Sequence, residues 1–544
     1  MLASLLAAGA AASLASSVLA AETPAANTFK CGATDLGNGV HVPGAIPKNL
    51  KEPLQHRLAF AGADGMTISW SSFTKWDEPT VWYGERPDKL NQVKSSDLCS
   101  TYPTSRTYNC HVKLHGLKPN TKYYYKVSGT NGYEAAYLPT FTFTTAREAG
   151  DESPYTIATF GDLGLMGEDG LSDATGPFGG SEHAVLDSNE TNTIQSLLAL
   201  ADTYDFMYHV GDIGYADYAL KQFVQGYWGT GNETTQPTRQ DVADHYECMS
   251  EQFFDQMRPV TAQKPWMVLP GNHEANCDNG GVTDKRADIV YTDDWCLPGQ
   301  TNFSWFIEHY KMPSYESEGR SNFWYSTDGF IELQVHYISL TSETDLGEGL
   351  VGPIENSTNN HNGPFGRPNE QVDWLKADLA KVDRSKTPWV LAHIHRPWLT
   401  NVNGDEPHVY TAWQQAFEDI LYEGEVDAVM HGHVHTYEVF APQYNGTVDE
   451  NGLNNPRAPL YIINGAAGHG LDEFPSDYRD PSTIYATDQE MGWGRMTFHN
   501  RTHMTYEYVA SRNNSVINSN TLYKAHEHDS DKHKRSSWCG KFKC

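Results

Sequence analysis

The sequence predicts a β-sandwich followed by a larger layered α/β domain, a β-sheet sandwich flanked by helices, and three observations carry that prediction. Residues from about 50 to 147 are short β-branched and aromatic runs separated by turn residues. Residues 150–510 alternate apolar strands with helix-like segments. Those strands end again and again in Gly-punctuated turns bearing Asp, Asn or His. The 544 residues are ample for both parts, since a domain takes roughly 150 residues. A content of 39% hydrophobic and 12% aromatic residues is too rich for general disorder.

The elements follow in chain order. Residues 1–20, MLASLLAAGAAASLASSVLA, read as a signal peptide cleaved near Ala20–Ala21, although no Lys or Arg precedes the apolar run. All eight Cys lie beyond it (Cys31, Cys99, Cys110, Cys248, Cys277, Cys296, Cys539, Cys544) and none forms CxxC, which favours disulfides over zinc knuckles. Close spacing makes Cys99–Cys110, Cys277–Cys296 and Cys539–Cys544 reasonable pairs. Glycan acceptor sequons stand at Asn189, Asn232, Asn302, Asn356, Asn445, Asn500 and Asn513. Together these features predict a secreted, extracellular glycoprotein.

Within 50–147 the odd positions of Thr121–Val127 share one strand face, and the whole resembles a fibronectin type III-like sandwich. It holds no acid/base cluster and reads as a packing or dimerising module. From 150 onward the strands 156–164, 205–215, 265–274, 333–340, 388–398, 426–435 and 460–468 alternate with helices at 191–204, 369–383 and 411–423. Residues 493–509 form late strands, and 511–544 reads as a C-terminal tail in which His526, His528 and His533 are solvated. No segment reaches the length of a membrane span.

The net charge of −30 argues against nucleic acid and anionic membranes as partners. With 23 His, full protonation would reduce it to −7, so charge depends strongly on pH between about 5 and 7.

The chemistry lies at the strand ends, where ligands of open α/β sheets gather. Gly161-Asp162-Leu163-Gly164 is a weak signal alone. Gly211-Asp212-Ile213-Gly214-Tyr215 runs an apolar strand into a carboxylate and then a phenol. Gly271-Asn272-His273-Glu274 and Gly432-His433-Val434-His435 add an amide and three imidazoles, the last two at i and i+2 on one strand face. Oxygen and nitrogen donors without Cys suit a pair of Fe, Mn or Zn ions, with Asp212 the natural bridge. Such a pair clamps a phosphoryl group and generates hydroxide near neutral pH. A metalloprotease is excluded, because His273-Glu274 continues into Ala275-Asn276-Cys277 and no HExxH occurs.

In this order the blocks resemble those of the metallophosphoesterases, and Tyr215 singles out the purple acid phosphatases among them. The resemblance extends over most of residues 50–510. It implies that Asp162, Tyr215 and His435 hold a ferric ion, that Asp212 bridges, and that Asn272, His433 and a fourth-block His hold a divalent Fe, Zn or Mn. It also implies the Tyr–Fe(III) charge-transfer colour. The fourth block has two readings. Val390-Leu391-Ala392-His393 matches literally, whereas His395 stands six residues after Trp389 and directly before Arg396-Pro397-Trp398, and is favoured. His393 is then a core or supporting residue.

The implied reaction is hydrolysis of small phosphate monoesters by attack of metal-bound hydroxide, with His273 and His408 as candidate proton donors to the departing alkoxide. Asp405 stands where the family places its further His, and His408 is the nearest imidazole. Arg396 is a candidate contact for substrate oxygens or a partner of a carboxylate, and His469 in GAAGHG a candidate for the rim. Two alternatives are a phosphodiester or nucleotide pyrophosphate substrate at the same centre, and a non-catalytic glycoprotein binding module.

Overall fold

The computed structural model describes residues 46–129, 138–148, 151–166, 186–220, 238–274, 283–284, 289–290, 297–327, 334–343, 369–402 and 411–526. The signal peptide, the other two suggested cysteine pairs and His408 lie outside them. Within them, no helix is long and apolar enough to cross a membrane.

Two four-stranded antiparallel sheets make the leading sandwich. One runs in the order Leu54–Phe60, Met66–Ser72, Tyr108–Leu114, Cys99–Ser100; the other runs Gln92–Ser95, Pro79–Gly84, Lys122–Gly129, Phe141–Thr144. The expected strand face is the buried one: Tyr123, Tyr125 and Val127 join Ile68, Trp70, Val81 and Phe143 in the core between the sheets. Cys99 and Cys110 sit directly opposite each other on neighbouring strands and form a disulfide. Cys248 is disulfide-bonded as well.

The α/β domain stacks two mixed sheets. In the first, the parallel strands Trp266–Leu269, Phe206–Val210 and Tyr155–Phe160 continue into antiparallel Gly492–Phe498, His503–Ala510 and Ser515–Tyr523. In the second, antiparallel Tyr325–Ser326 precedes the parallel strands Val335–Leu340, Trp389–Ile394, Ala428–His431 and Leu460–Asn464, which antiparallel Tyr437–Phe440 and Thr483–Thr487 complete. The inner faces meet through rings: Tyr208 of the first sheet stacks on His393 of the second at 3.8 Å, and Tyr155 and Tyr337 share a hydroxyl hydrogen bond of 2.7 Å. Helices cover the outer faces. Phe253 of helix Arg239–Thr261 meets Trp266, and Asp378 of helix Glu370–Lys381 accepts from Ser326 and His336. The expected helix at 411–423 is Thr411–Glu423.

Two expectations are corrected. The tail reading fails over its first part, because Ser515–Tyr523 is the edge strand of the first sheet. Its polar sequence is that of an edge strand, which leaves one side to solvent. His526 is not solvated: its Nε2 lies 3.3 Å from the buried Asp427 carboxylate, which also holds Lys524 (3.2 Å) and Arg384 (3.0 Å).

The 23-residue helix Arg239–Thr261 is absent from the sequence reading. Thr238 opens it with a capping box, its hydroxyl accepting from the Asp241 amide while the Asp241 carboxylate accepts from the Thr238 amide. It carries no clean apolar stripe because it is buried on two sides, and Asp244, Glu247, Glu251, Gln252 and Gln256 are all buried. The sandwich supplies partners for the two glutamates, while Gln256 bonds the Met166 backbone of the α/β domain and Asp244 accepts from Gln240 of the same helix. Arg106 pairs with Glu251 through both guanidinium and carboxylate edges, while Tyr102 and Thr104 donate to Glu247 at 2.6 and 3.1 Å. Burial lifts the Glu247 carboxyl to about 8, opposed by the Tyr102 hydrogen bond and reinforced by Glu251.

This interface makes two predictions. Arg106→Ala leaves Glu251 buried without its cation and costs about 3–5 kcal/mol of unfolding free energy in chemical denaturation. Between the unfolded carboxyl value of about 4.3 and about 8, the folded chain holds a proton on Glu247 that the unfolded chain lacks. This group therefore makes stability fall as pH rises across that window. Thermal unfolding from pH 5 to 8 shows a smaller loss in Glu247→Gln than in the wild type; an equal loss contradicts the assignment.

Candidate metal centre

Every sequence-selected ligand within the described residues follows the carboxyl end of a parallel strand. Asp162 follows Phe160, Asp212 and Tyr215 follow Val210, Asn272 follows Leu269, His395 follows Ile394, and His433 and His435 follow His431. The first three strands belong to one sheet and the last two to the other, so the centre forms where the sheets converge. The turns are sharply bent: Asp162, Asp212, Tyr215 and His433 all have positive φ (59°, 47°, 51° and 68°), a backbone strain typical of functional sites. The glycines before them answer to close approach. A Cβ on Gly271 would stand 2.1 Å from Asp212 Oδ1, and one on Gly211, itself at φ +79°, would stand 2.5 Å from His395 Nδ1.

The side chains divide into two groups joined by one carboxylate. In the first, the Tyr215 hydroxyl lies 3.0 Å from Asp162 Oδ1 and 3.0 Å from His435 Nε2. In the second, Asn272 Oδ1 lies 3.0 Å from His395 Nε2 and 2.8 Å from His433 Nδ1. Asp212 Oδ2 touches both, at 3.2 Å from the Tyr215 hydroxyl and 3.2 Å from His395 Nε2. The His433/His435 pair departs from the sequence reading. The strand ends at His431, and the positive φ of His433 turns the two imidazoles to different groups rather than to one point.

His395 and His393 part company in the same way. His395 reaches the centre, its Nδ1 2.8 Å from the Val210 carbonyl oxygen and its Nε2 toward Asp212 and Asn272. His393 is two residues deeper, stacked on Tyr208 between the sheets, and burial drives its pKa down to about 3.

The charges fit a cationic pair. Asp162, Asp212 and Tyr215 are essentially inaccessible, and three of their oxygens crowd within hydrogen-bond range. Burial raises the Asp162 carboxyl, opposed by His435 and His395. Burial also pushes Asp212 upward, but His395 and His273 outweigh it and hold this carboxyl well below the usual range. Burial and then both carboxylates push the Tyr215 phenol well above its ordinary value. Burial lowers His395, yet Asp212 prevails and raises it to about 10. Such a phenol ionises readily only beside a strongly positive ion, and the hard oxygens around it suit a ferric one. The amide oxygen and two imidazoles opposite suit a divalent ion. Among the described residues, Asp212, His395 and His433 bring three carboxylate or imidazole donor atoms within 4.8 Å of one another.

Some neighbours carried no usable signal in sequence. His273 Nδ1 lies 2.7 Å from Asp217 Oδ2, in a buried pair two residues past Tyr215 where an acidic turn residue passes for solvated. Glu274 ties two ligand turns together, accepting from the amides of Ile213 (2.8 Å) and Gly271 (2.9 Å). Arg396 does not face substrate: its guanidinium grips the buried Glu343 carboxylate at 2.8–3.1 Å.

The fold and these paired ligand groups define a metallophosphoesterase, and residues 155–437 match the family described as Calcineurin-like phosphoesterase. Residues 53–145 match the purple acid phosphatase N-terminal domain, and residues 458–519 match the iron/zinc purple acid phosphatase-like protein C-terminal family. Acid phosphatase A of Cryphonectria parasitica is 33% identical over 508 residues, covering 88% of this chain and 94% of its own. An acid phosphatase of Aspergillus ficuum is 29% identical, covering 85% of each chain, and purple acid phosphatase 18 of Arabidopsis thaliana is 28% identical, covering 88% of each. The solved purple acid phosphatase from yellow lupin seeds shares the fold at TM-score 0.61 and 21% identity, over 87% of this chain and 75% of its own. The chain belongs to the purple acid phosphatase family.

The two histidines of the fourth block make a direct test. His395→Ala lowers bound metal from two equivalents toward one in elemental analysis, whereas His393→Phe retains both.

Proposed function

We propose that this chain is a secreted acid phosphatase hydrolysing small phosphate monoesters at a ferric–divalent metal pair. The observation that carries the reading is the single Asp212 carboxylate shared between an Asp–Tyr–His group and an Asn–His–His group. Asp162, Tyr215 and His435 would hold the ferric ion; Asn272, His395 and His433 would hold the divalent Fe, Zn or Mn; and Asp212 would lie between. When bound, such a pair supplies Lewis-acid charge for phosphoryl oxygens and an activated water.

The chain's own groups do the rest. Asp162, Asp212 and His395 form the buried floor, while His433 and His435 are partly exposed and border the approach. The Asp217 carboxylate engages His273 Nδ1 and leaves Nε2 toward the centre, 3.9 Å from Asp212 Oδ2. That is the placement of a proton donor for a departing alkoxide: His273 would give up its Nε2 proton as the imidazolium, whose Nδ1–H the Asp217 carboxylate accepts. The peptide amide of His273 donates to Asp212 Oδ1 at 2.9 Å, so donor and bridging carboxylate keep one register. His408 remains a candidate second imidazole.

Secretion is supported by the leader-like first twenty residues, the Cys99–Cys110 disulfide and the exposure of Asn189, Asn302, Asn445, Asn500 and Asn513. A fall in apparent mass after enzymatic deglycosylation of protein from the culture medium checks it.

The catalytic assignment is tested by kinetics on alkyl phosphates, whose leaving group needs a proton. His273→Ala lowers kcat by about 10²-fold or more with both metals retained, and Asp217→Asn lowers it less. Undiminished turnover in His273→Ala assigns the proton to another group.

A further inference from the structure

We propose that His469 is a positioning residue for the Tyr215 phenol, fixing the plane in which its oxygen meets the ferric ion; this rests on the reading that Tyr215 holds that ion. The two rings lie nearly parallel, 3.6 Å between centroids with 9° between planes. His469 is 2% exposed and belongs to the turn after strand Leu460–Asn464, outside every ligand motif.

Three further contacts tie this ring to the centre. The His469 amide donates to the Asp162 carbonyl oxygen at 3.0 Å, so the turn that carries it is joined to the turn that carries a ligand. Its Nε2 lies 3.0 Å from the Tyr218 hydroxyl, and Tyr218 meets Tyr215 edge-on at 5.6 Å. It also stands perpendicular to His435 at 5.0 Å. Gly468 leaves the turn no room to shift, since a Cβ there would lie 2.3 Å from the Met166 methyl and 2.6 Å from the Leu163 carbonyl oxygen.

The consequence is orientational. With one face covered by His469 and an edge held by Tyr218, the phenol aims its oxygen between Asp162 Oδ1 and His435 Nε2, 3.0 Å from each. Donation from a phenolate to a ferric ion depends on the rotation of the ring about its own axis. Removing the stacked ring opens space beside the phenol and frees that rotation.

The test uses the purified holoenzyme, read by visible absorption, elemental analysis and kinetics. His469→Ala is expected to keep both metals, to shift or weaken the visible charge-transfer band, and to lower kcat roughly tenfold with KM little changed. His469→Phe, which restores a flat ring, recovers the band, and Tyr218→Phe gives a smaller shift in the same direction. Tyr218→Phe also serves if His469→Ala does not fold. A wild-type band and wild-type kcat in His469→Ala, or in Tyr218→Phe where that variant stands in, overturn the positioning role. A colourless, iron-free wild type overturns the ferric reading itself and this inference with it, and is seen before any variant is made.

Discussion

The Asp212 carboxylate joins the two sheets at their strand ends. Its Oδ2 meets a phenol from its own turn and an imidazole from the other sheet, each at 3.2 Å, and its Oδ1 accepts the His273 amide. Both sheets must bring their strand ends to one carboxylate, which fixes their offset. The turn that presents it must adopt positive φ at Gly211, Asp212 and Tyr215. Such turns cost a few kcal/mol, and the surrounding structure must over-determine them. The Glu274 carboxylate, with bonds to the amides of Ile213 and Gly271, is one such restraint. The Gly161–Gly164 turn is another, its backbone amides donating to the carbonyl oxygens of Gly211, Asp212 and Ile213.

The electrostatics follow from the same point. A chain of net charge −30 repels a phosphate ester at long range, and that sign is strongest when His is neutral. Attraction has to be local. The buried cluster of carboxylates, phenol and imidazoles concentrates donors for a cationic pair where water is scarce, so the field of the metals is little screened there. Acidic conditions protonate solvated His and reduce the outer repulsion, and the same conditions keep Glu247 protonated within the domain interface. Surface charge and domain interface therefore both respond to pH, for separate reasons.

The candidate site was legible in the sequence because its carboxylates, phenol, amide and imidazoles stand at strand ends, and strand ends are marked by glycine. Asp162, Asp212, Tyr215, Asn272, His433 and His435 were legible as a set rather than singly: the Gly161–Gly164 turn is a weak signal alone, and it is the recurrence of such turns in order along the chain that selects them. The choice of His395 over His393 turned on depth along a strand, which the sequence indicates through the spacing from Trp389 and the Pro397 turn that follows. What stayed hidden was pairing at a distance. Asp217 acquires meaning only beside His273 and Glu343 only beside Arg396, and His469, expected at the rim, is instead buried against Tyr215 once its turn folds over that ring. The long helix Arg239–Thr261 escaped because it buries polar residues on two sides, Glu247 and Glu251 against the sandwich and Gln256 against Met166, which removes the amphipathic stripe. Polar edge strands such as Ser515–Tyr523 look like tails for the complementary reason, that half their surface never leaves water.

Anomalous diffraction from crystals of the purified protein, recorded on both sides of the iron absorption edge, separates the two metal positions. Two metal peaks are expected to flank Asp212, with the iron signal at the site bounded by Asp162, Tyr215 and His435. A single metal, or iron confined to the Asn272, His395 and His433 side, would overturn that arrangement.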